Sequence, residues 1–209
     1  MGLRIPRTLV SQDPEKVREF CESLGYRVIV KTVAGAQGTP VMAGQVTPDL
    51  LTDEAVRLSP AIYQELVPGR RHLHVNCFGD EVHTALLETE TLDWRYPLDA
   101  DVRPYKLDDQ TEARVLWVVE NLGLRMGIMD LKFAEDGTPV WLEINPQGQF
   151  VFLEGMCAGL PLSRIFGDFL IAEASQASAL KRERALLAPS ASAHALQHKE
   201  PIGERLSLG

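Results

Sequence analysis

The stretch 127–150, GIMDLKFAEDGTPVWLEINPQGQF, restricts the possible folds more than any other part of the chain. It reads as two strands joined by a tight turn, because Asp136-Gly137 is a preferred dipeptide where both loop positions need positive φ. With those two residues as the loop, Asp130 falls opposite Glu143, Lys132 opposite Trp141 and Ile128 opposite Asn145. Side chains alternate faces along a strand, so Asp130, Glu143 and Asn145 share one face. Directly opposed carboxylates stand about 5 Å apart at Cβ. Their repulsion costs on the order of 3 kcal/mol at an effective dielectric of about 20. The spacing therefore predicts a positive group between them, and two acids with an amide oxygen suit a hard cation such as Mg²⁺. The alternative is a solvent-facing hairpin that carries two separate acids. Pro139 removes a ladder donor beside the turn and loosens the register.

The remainder has ordinary globular composition, 45% hydrophobic and 24% charged over 209 residues, enough for one domain or two small lobes. A net charge of −8 argues against a nucleic-acid partner held through its phosphates. No apolar run reaches membrane-spanning length, and MGLRIPRTLV lacks the apolar centre of a signal peptide. No membrane association is therefore expected. Cys21, Cys77 and Cys157 are odd in number and lie among apolar neighbours, which suggests buried thiols in a reducing cytoplasm.

In chain order, residues 5–10 look extended. Asp13 then caps a helix with Pro14 at its first position, and Gly25 ends it. Residues 26–32, YRVIVKT, read as a strand with Lys31 near its end. Gly35-Ala36-Gln37-Gly38 follows, either a plain turn or a loop whose amides cover phosphates beside Lys31. It contains neither GK[ST] nor GxGxxG. Residues 47–58 suggest a short helix and 61–67 a strand running into Pro68-Gly69. Gly79-Asp80 signals a second hairpin, flanked by residues 73–78 and 81–87, with His83 across from Asn76. His72, His74 and His83 then share one face, either as a transition-metal site or as polar residues on a wetted surface. Residues 92–104 read as a loop, 108–122 as a helix closed by Gly123, and 161–173 as another helix. From Ser175 the composition shifts to Ala, Ser, Lys and Arg without aromatics, a tail that is partly helical or disordered.

Several motifs together resemble the ATP-grasp superfamily of ligases, and most closely the enzymes that crosslink ribosomally made peptides of the microviridin or graspetide type. The residues that carry the resemblance are VIVKT around Lys31, YQELVPG at 63–69, LDWR at 92–95, MDLKF at 129–133 and LEINPQGQF at 142–150. The resemblance implies an α+β fold, an ATP-grasp core of two lobes whose antiparallel sheets enclose a nucleotide site. Residues 1–70 would form the small lobe, 71–175 the larger lobe and 176–209 a tail. It further implies ATP and Mg²⁺ as cofactors. Lys31 would contact phosphates, and Glu65, Leu66 and Val67 would form the hinge that reads adenine. Arg95 would act catalytically on the phosphates or on a developing acyl phosphate, and Asp130, Glu143 and Asn145 would hold Mg²⁺. The implied reaction activates the carboxylate of a peptide or small substrate and captures it with an amine or hydroxyl.

Two departures qualify this. Where the family carries an acid that holds the ribose and then an arginine, this chain has His72 and His74. A neutral imidazole can hydrogen-bond a ribose hydroxyl, which leaves His72 as a cofactor contact, but it is no substitute for a guanidinium fork. The N-terminal domain of related ligases is also expected to be absent. That implies a homodimer or a separately encoded partner, and little turnover from this polypeptide alone. A truncated, non-catalytic nucleotide- or peptide-binding relative and a His-centred metal protein remain as rival readings.

Overall fold

The computed structural model describes residues 3–33, 42–94 and 100–187, with side chains to 181. The chain divides into two compact units, Met1–Gly167 and Asp168–Gly209. The first unit holds two antiparallel sheets. One is four-stranded, in the order β1-β4-β2-β3, built from β1 (Thr8–Ser11), β2 (Val28–Thr32), β3 (Gly44–Gln45) and β4 (Ala61–Glu65). Helix α1 (Pro14–Ser23) starts where the sequence indicates: the Asp13 carboxylate accepts from the amides of Glu15 and Lys16, and Pro14 needs no donor there. Val17 and Cys21 of α1 pack with Val28, Val46, Val56 and Tyr63 to form the core beneath this sheet.

Residues 47–58 do not form one helix. A 3-10 turn, Pro48–Leu50, is followed by α2 (Asp53–Arg57). Thr52 separates them because its hydroxyl accepts from the Ala55 amide at 3.2 Å and so starts a new helix.

The second sheet has five strands in the order β7-β6-β5-β8-β9. They are β5 (Arg71–Phe78), β6 (Glu81–Glu88), β7 (Asp101–Tyr105), β8 (Met126–Phe133) and β9 (Pro139–Asn145). The β5–β6 hairpin has the expected register, Asn76 facing His83, with Gly79 at φ 62° in its two-residue turn. Strand β7 begins inside the segment 92–104 read as a loop and ends at Tyr105. Its Pro104 masks strand character, yet an edge position tolerates a missing donor. Helix α3 (Asp109–Asn121) covers one face of this sheet. There Val115, Val118 and Val119 pack on Leu73, Val75, Met129 and Leu131. The opposite face is left for the residues described below.

The β8–β9 hairpin reaches the expected pairing by a different route. Among the described residues Tyr26 alone has positive φ without being glycine, so Asp136 does not. The turn runs Ala134 to Gly137, closed by the Gly137 amide donating to the Ala134 carbonyl at 2.9 Å, with Gly137 at φ 79°. The register near the turn is thereby displaced by one: Lys132 pairs with Val140 and Leu131 with Trp141, not Lys132 with Trp141. A β-bulge between Asp130 and Leu131 then restores the offset, with Leu142 as the extra residue, so Asp130 faces Glu143 and Ile128 faces Asn145. The Trp141 indole N–H donates to the Glu143 carbonyl at 2.8 Å and spans the bulge.

Short α4 (Phe152–Met156) follows, and α5 spans Leu162–Leu187, well past residue 173. Ala, Lys, Arg and Glu are good helix formers, so the loss of aromatics after Ser175 does not end the helix. No described helix is long and apolar enough to cross a membrane.

Candidate functional site

Alternation along the strands of the five-stranded sheet decides which side chains leave the core. Leu73, Val75 and Cys77 of β5 face α3, so His72, His74 and Asn76 face the other way. Pairing between β5 and β8 sets His72 beside Lys132, His74 beside Asp130 and Asn76 beside Ile128. Glu143 and Asn145 extend the same face on β9. The bulge adds Leu142 to it, and Leu142 and Glu143 line a common cavity.

That cavity lies between the two sheets. Lys31 and Gln64 contribute from the four-stranded sheet, the segment Glu65–Val67 from the connection, and His72, Lys132 and Asp130 from the five-stranded sheet. Lys31 Nζ donates to Gln64 Oε1 at 3.0 Å, and Gln64 Nε2 donates to Thr8 Oγ1 at 3.1 Å. A buried amide thus holds the Lys31 ammonium. In the connection, the Glu65 amide donates to the Arg7 carbonyl at 2.8 Å and the Leu66 amide to the Arg27 carbonyl at 2.9 Å. Val67 lines the cavity, and its amide has no protein partner among the described residues.

Asp130 and Glu143 also line a second, adjoining cavity with Asn145, Gln147 and His74. Asp130 Oδ1 meets His74 Nδ1 at 2.8 Å, and His74 Nε2 faces the Gln149 carbonyl at 3.3 Å. The His74 ring is held in place by Trp94 at 5.5 Å and Phe152 at 5.8 Å between ring centroids. Glu143 makes no side-chain hydrogen bond among the described residues. Asn145 Oδ1 accepts from the Gln147 amide at 3.0 Å and keeps a second lone pair. The second Asp130 oxygen, the Glu143 carboxylate and this amide oxygen form an oxygen-only set of the kind a hard cation takes. Gly148 closes the set: a Cβ there would stand 2.6 Å from Ile128 Cβ and 3.3 Å from Asn145 Cβ. The glycine of LEINPQGQF is thus demanded by packing.

The structure brings together Lys31, Glu65, Leu66, Val67, His72, Asp130 and Glu143 around one cavity, with Asn145 in its neighbour. Arg95 and the glycine loop 35–38 lie outside the described residues. The three histidines do not converge. His74 is held by Asp130, His83 Nε2 faces Glu81 Oε2 at 3.1 Å, and His72 Nε2 is buried without a partner. No group of three His, Cys, Asp or Glu side chains suited to a metal occurs among the described residues. The His-centred metal reading therefore has no site there.

Burial foremost, and then the Lys132 ammonium, pushes the His72 imidazole down to about 4. Burial likewise lowers the Lys132 pKa. The Cys77 thiol, pushed up by burial to about 12, is inert, and all three cysteines are free and buried. Sequence reasoning missed Gln64, Lys132 and Leu142 as site residues. Only the strand alternation around Asp130 signalled Lys132, and the bulge hid Leu142.

No protein-family model matches the chain. The α-aminoadipate–LysW ligase LysX of Sulfurisphaera tokodaii is 26% identical over 133 residues, 58% of this chain and 46% of that protein. Among solved structures, the macrocyclase MdnC of Microcystis aeruginosa MRC, bound with precursor peptide MdnA, superposes with a TM-score of 0.72 at 28% identity. That match covers 82% of this chain and 56% of MdnC. The ATP-grasp ligase PsnB, complexed with a precursor variant, Mg and ADP, gives a TM-score of 0.69 at 25% identity over 83% of this chain and 55% of PsnB. The chain spans about half the length of the relatives it matches.

Proposed function

We propose, for a chain with the ATP-grasp fold that resembles the ligases of ribosomally made peptides, an ATP-dependent ligase that joins a carboxylate to an amine or hydroxyl. The observation that carries the reading is the convergence of Lys31, the Glu65–Val67 connection and the Asp130–Glu143 pair on one cavity. The nucleoside lies along the connection, where the unpartnered Val67 amide supplies a backbone donor to the base. The phosphates lie between Lys31 and the carboxylates. Two facing acids repel an unaccompanied polyphosphate, so ATP enters with Mg²⁺, held by Asp130, Glu143 and Asn145. When bound, that ion neutralises phosphate charge and aligns the transferred group. Lys31, fixed by Gln64, supplies a second positive charge, and Arg95 is assigned the acyl-phosphate end. His74 keeps the Asp130 carboxylate aimed at the cavity. No protein nucleophile is required, because positioning and charge neutralisation supply the catalysis.

The substrate is a peptide carboxylate, by analogy with the precursor peptides bound to MdnC and PsnB. Three buried free thiols support action in a reducing cytoplasm. Association as a homodimer or with a second polypeptide is supported by a groove where exposed Ile5 and Val10 stand beside Trp141 and Leu142. The rival reading, a nucleotide-binding relative without turnover, is favoured by one observation: His74 already occupies one oxygen of Asp130.

Calorimetric titration with Mg·ADP tests the proposal. Asp130→Asn and Glu143→Gln are each expected to abolish Mg²⁺-dependent binding, and unchanged affinity in both would sink it. Intact-mass analysis of candidate precursor peptides incubated with ATP, Mg²⁺ and the chain then separates ligase from binder. Loss of water from a peptide marks the ligase.

A further inference from the structure

Resting on the nucleotide reading above, one cation in the main cavity still lacks a role. Lys132 stands on β8 one side-chain step beyond Asp130, about 7 Å along the strand and toward the connection to the small sheet. It is 6% exposed and makes no hydrogen bond or ion pair among the described residues. Directly across from it, His72 is 5% exposed, and its Nε2 is buried without a partner. Lys132, whose ammonium has no partner among the described residues, and His72 both line the main cavity, and buried polar nitrogens such as His72 Nε2 are nearly always paired, so this end of the cavity is short of acceptors. Leu142, brought to the same cavity by the bulge, gives this end an apolar surface.

The two ends of the cavity differ in chemistry. The Asp130–Glu143 end is acidic and takes phosphate only together with a cation. The Lys132–His72 end has donors, an apolar side chain and the Val67 amide, which suits a nucleoside. A lysine alone is a strong donor and no acceptor, whereas neutral His72 can accept. Together they satisfy a group that both gives and receives hydrogen bonds, as sugar hydroxyls and base edges do.

We propose that Lys132, working with His72, is a specificity-determining residue that donates to an uncharged acceptor on the ribose or base, and that it does not hold the phosphates.

The test is an NMR titration of the full chain and of Lys132→Met with adenosine, with Mg·ADP and with Mg·tripolyphosphate. Methionine keeps the linear stem and removes the charge and donor. The expected result is a loss of about tenfold in affinity for adenosine and for ADP alike, with tripolyphosphate unchanged. Lys132→Gln, which keeps a donor, is expected to fall between the two and serves if the methionine variant does not fold. In the unaltered chain, 2′-deoxy-ADP and 7-deaza-ADP separate ribose from base as the acceptor. The analogue that loses affinity there loses none in Lys132→Met. Weakened tripolyphosphate binding with adenosine unchanged overturns the assignment, as does an unchanged or tighter affinity for adenosine and ADP. If the unaltered chain binds neither adenosine nor ADP, the nucleotide reading itself falls. If it binds both and the variants match it, only the role of Lys132 falls.

Discussion

Acid should expose the cost of burying His72. Its imidazole is 5% exposed, and burial together with Lys132 lowers its pKa from an ordinary 6.5 to about 4. Between those two values the unfolded chain binds a proton that the folded chain refuses. Stability is therefore complete above the unfolded value, falls as pH drops below it, and stops falling once pH passes below the folded value. At about 1.4 kcal/mol per unit, the gap corresponds to a loss of about 3 kcal/mol between neutral pH and a pH of about 4. Such a loss is a large share of the total for a domain of this size. His72→Leu removes the titrating group and the unpartnered Nε2 together. The variant is expected to be at least as stable as the parent at neutral pH and to lose about 3 kcal/mol less on acidification. Urea unfolding followed by circular dichroism, run on both proteins at several pH values from about 7 to about 4, measures the difference. Acid effects common to both proteins cancel in the comparison. Parallel stability–pH curves would refute the reasoning, because they would mean that His72 takes up its proton equally in the folded and unfolded chains.

Two further outcomes follow from the geometry of the site. Gly148→Ala drives a methyl group to 2.6 Å from Ile128 Cβ, an atom fixed close to its backbone, so it should cost about 1–3 kcal/mol of stability. The same methyl group should displace Asn145 and weaken Mg²⁺-dependent ADP binding, and unchanged unfolding midpoint and affinity would contradict this. Gln64→Leu leaves Lys31 Nζ without its 3.0 Å acceptor and should weaken Mg·ADP binding about fivefold. In a double-mutant cycle the loss should nearly vanish in a Lys31→Met background, whereas additive losses would show that Gln64 acts independently of Lys31.

The sequence by itself determined whatever depends on neighbours a few residues apart. The Asp13 cap, Pro14 at the start of α1 and the glycine turns at Gly79 and Gly137 each rest on local hydrogen bonds or on one φ angle. Period-two alternation then placed Asp130, Glu143 and Asn145 on one face. The pairing of Asp130 with Glu143 was legible only because two local irregularities cancel. The turn displaces the register by one residue and the Leu142 bulge restores it. Nothing near Leu142 announces that bulge, which is held where the Trp141 indole reaches the Glu143 carbonyl. Strand β7 was hidden because an edge strand with Pro104 has little intrinsic signal and exists through pairing with β6.

The electrostatics of the site were decided by tertiary structure alone. His74 meets Asp130 across 56 residues of sequence, Lys31 meets Gln64 across 33, and Lys132 lies beside His72 because β5 and β8 are neighbours in the sheet. A charged side chain's partner and its loss of solvent are set by which strands become adjacent. That adjacency is fixed by burial of the core on α3, so the same Lys132 that reads as an unremarkable strand residue in sequence becomes a buried cation with no hydrogen bond or ion pair among the described residues.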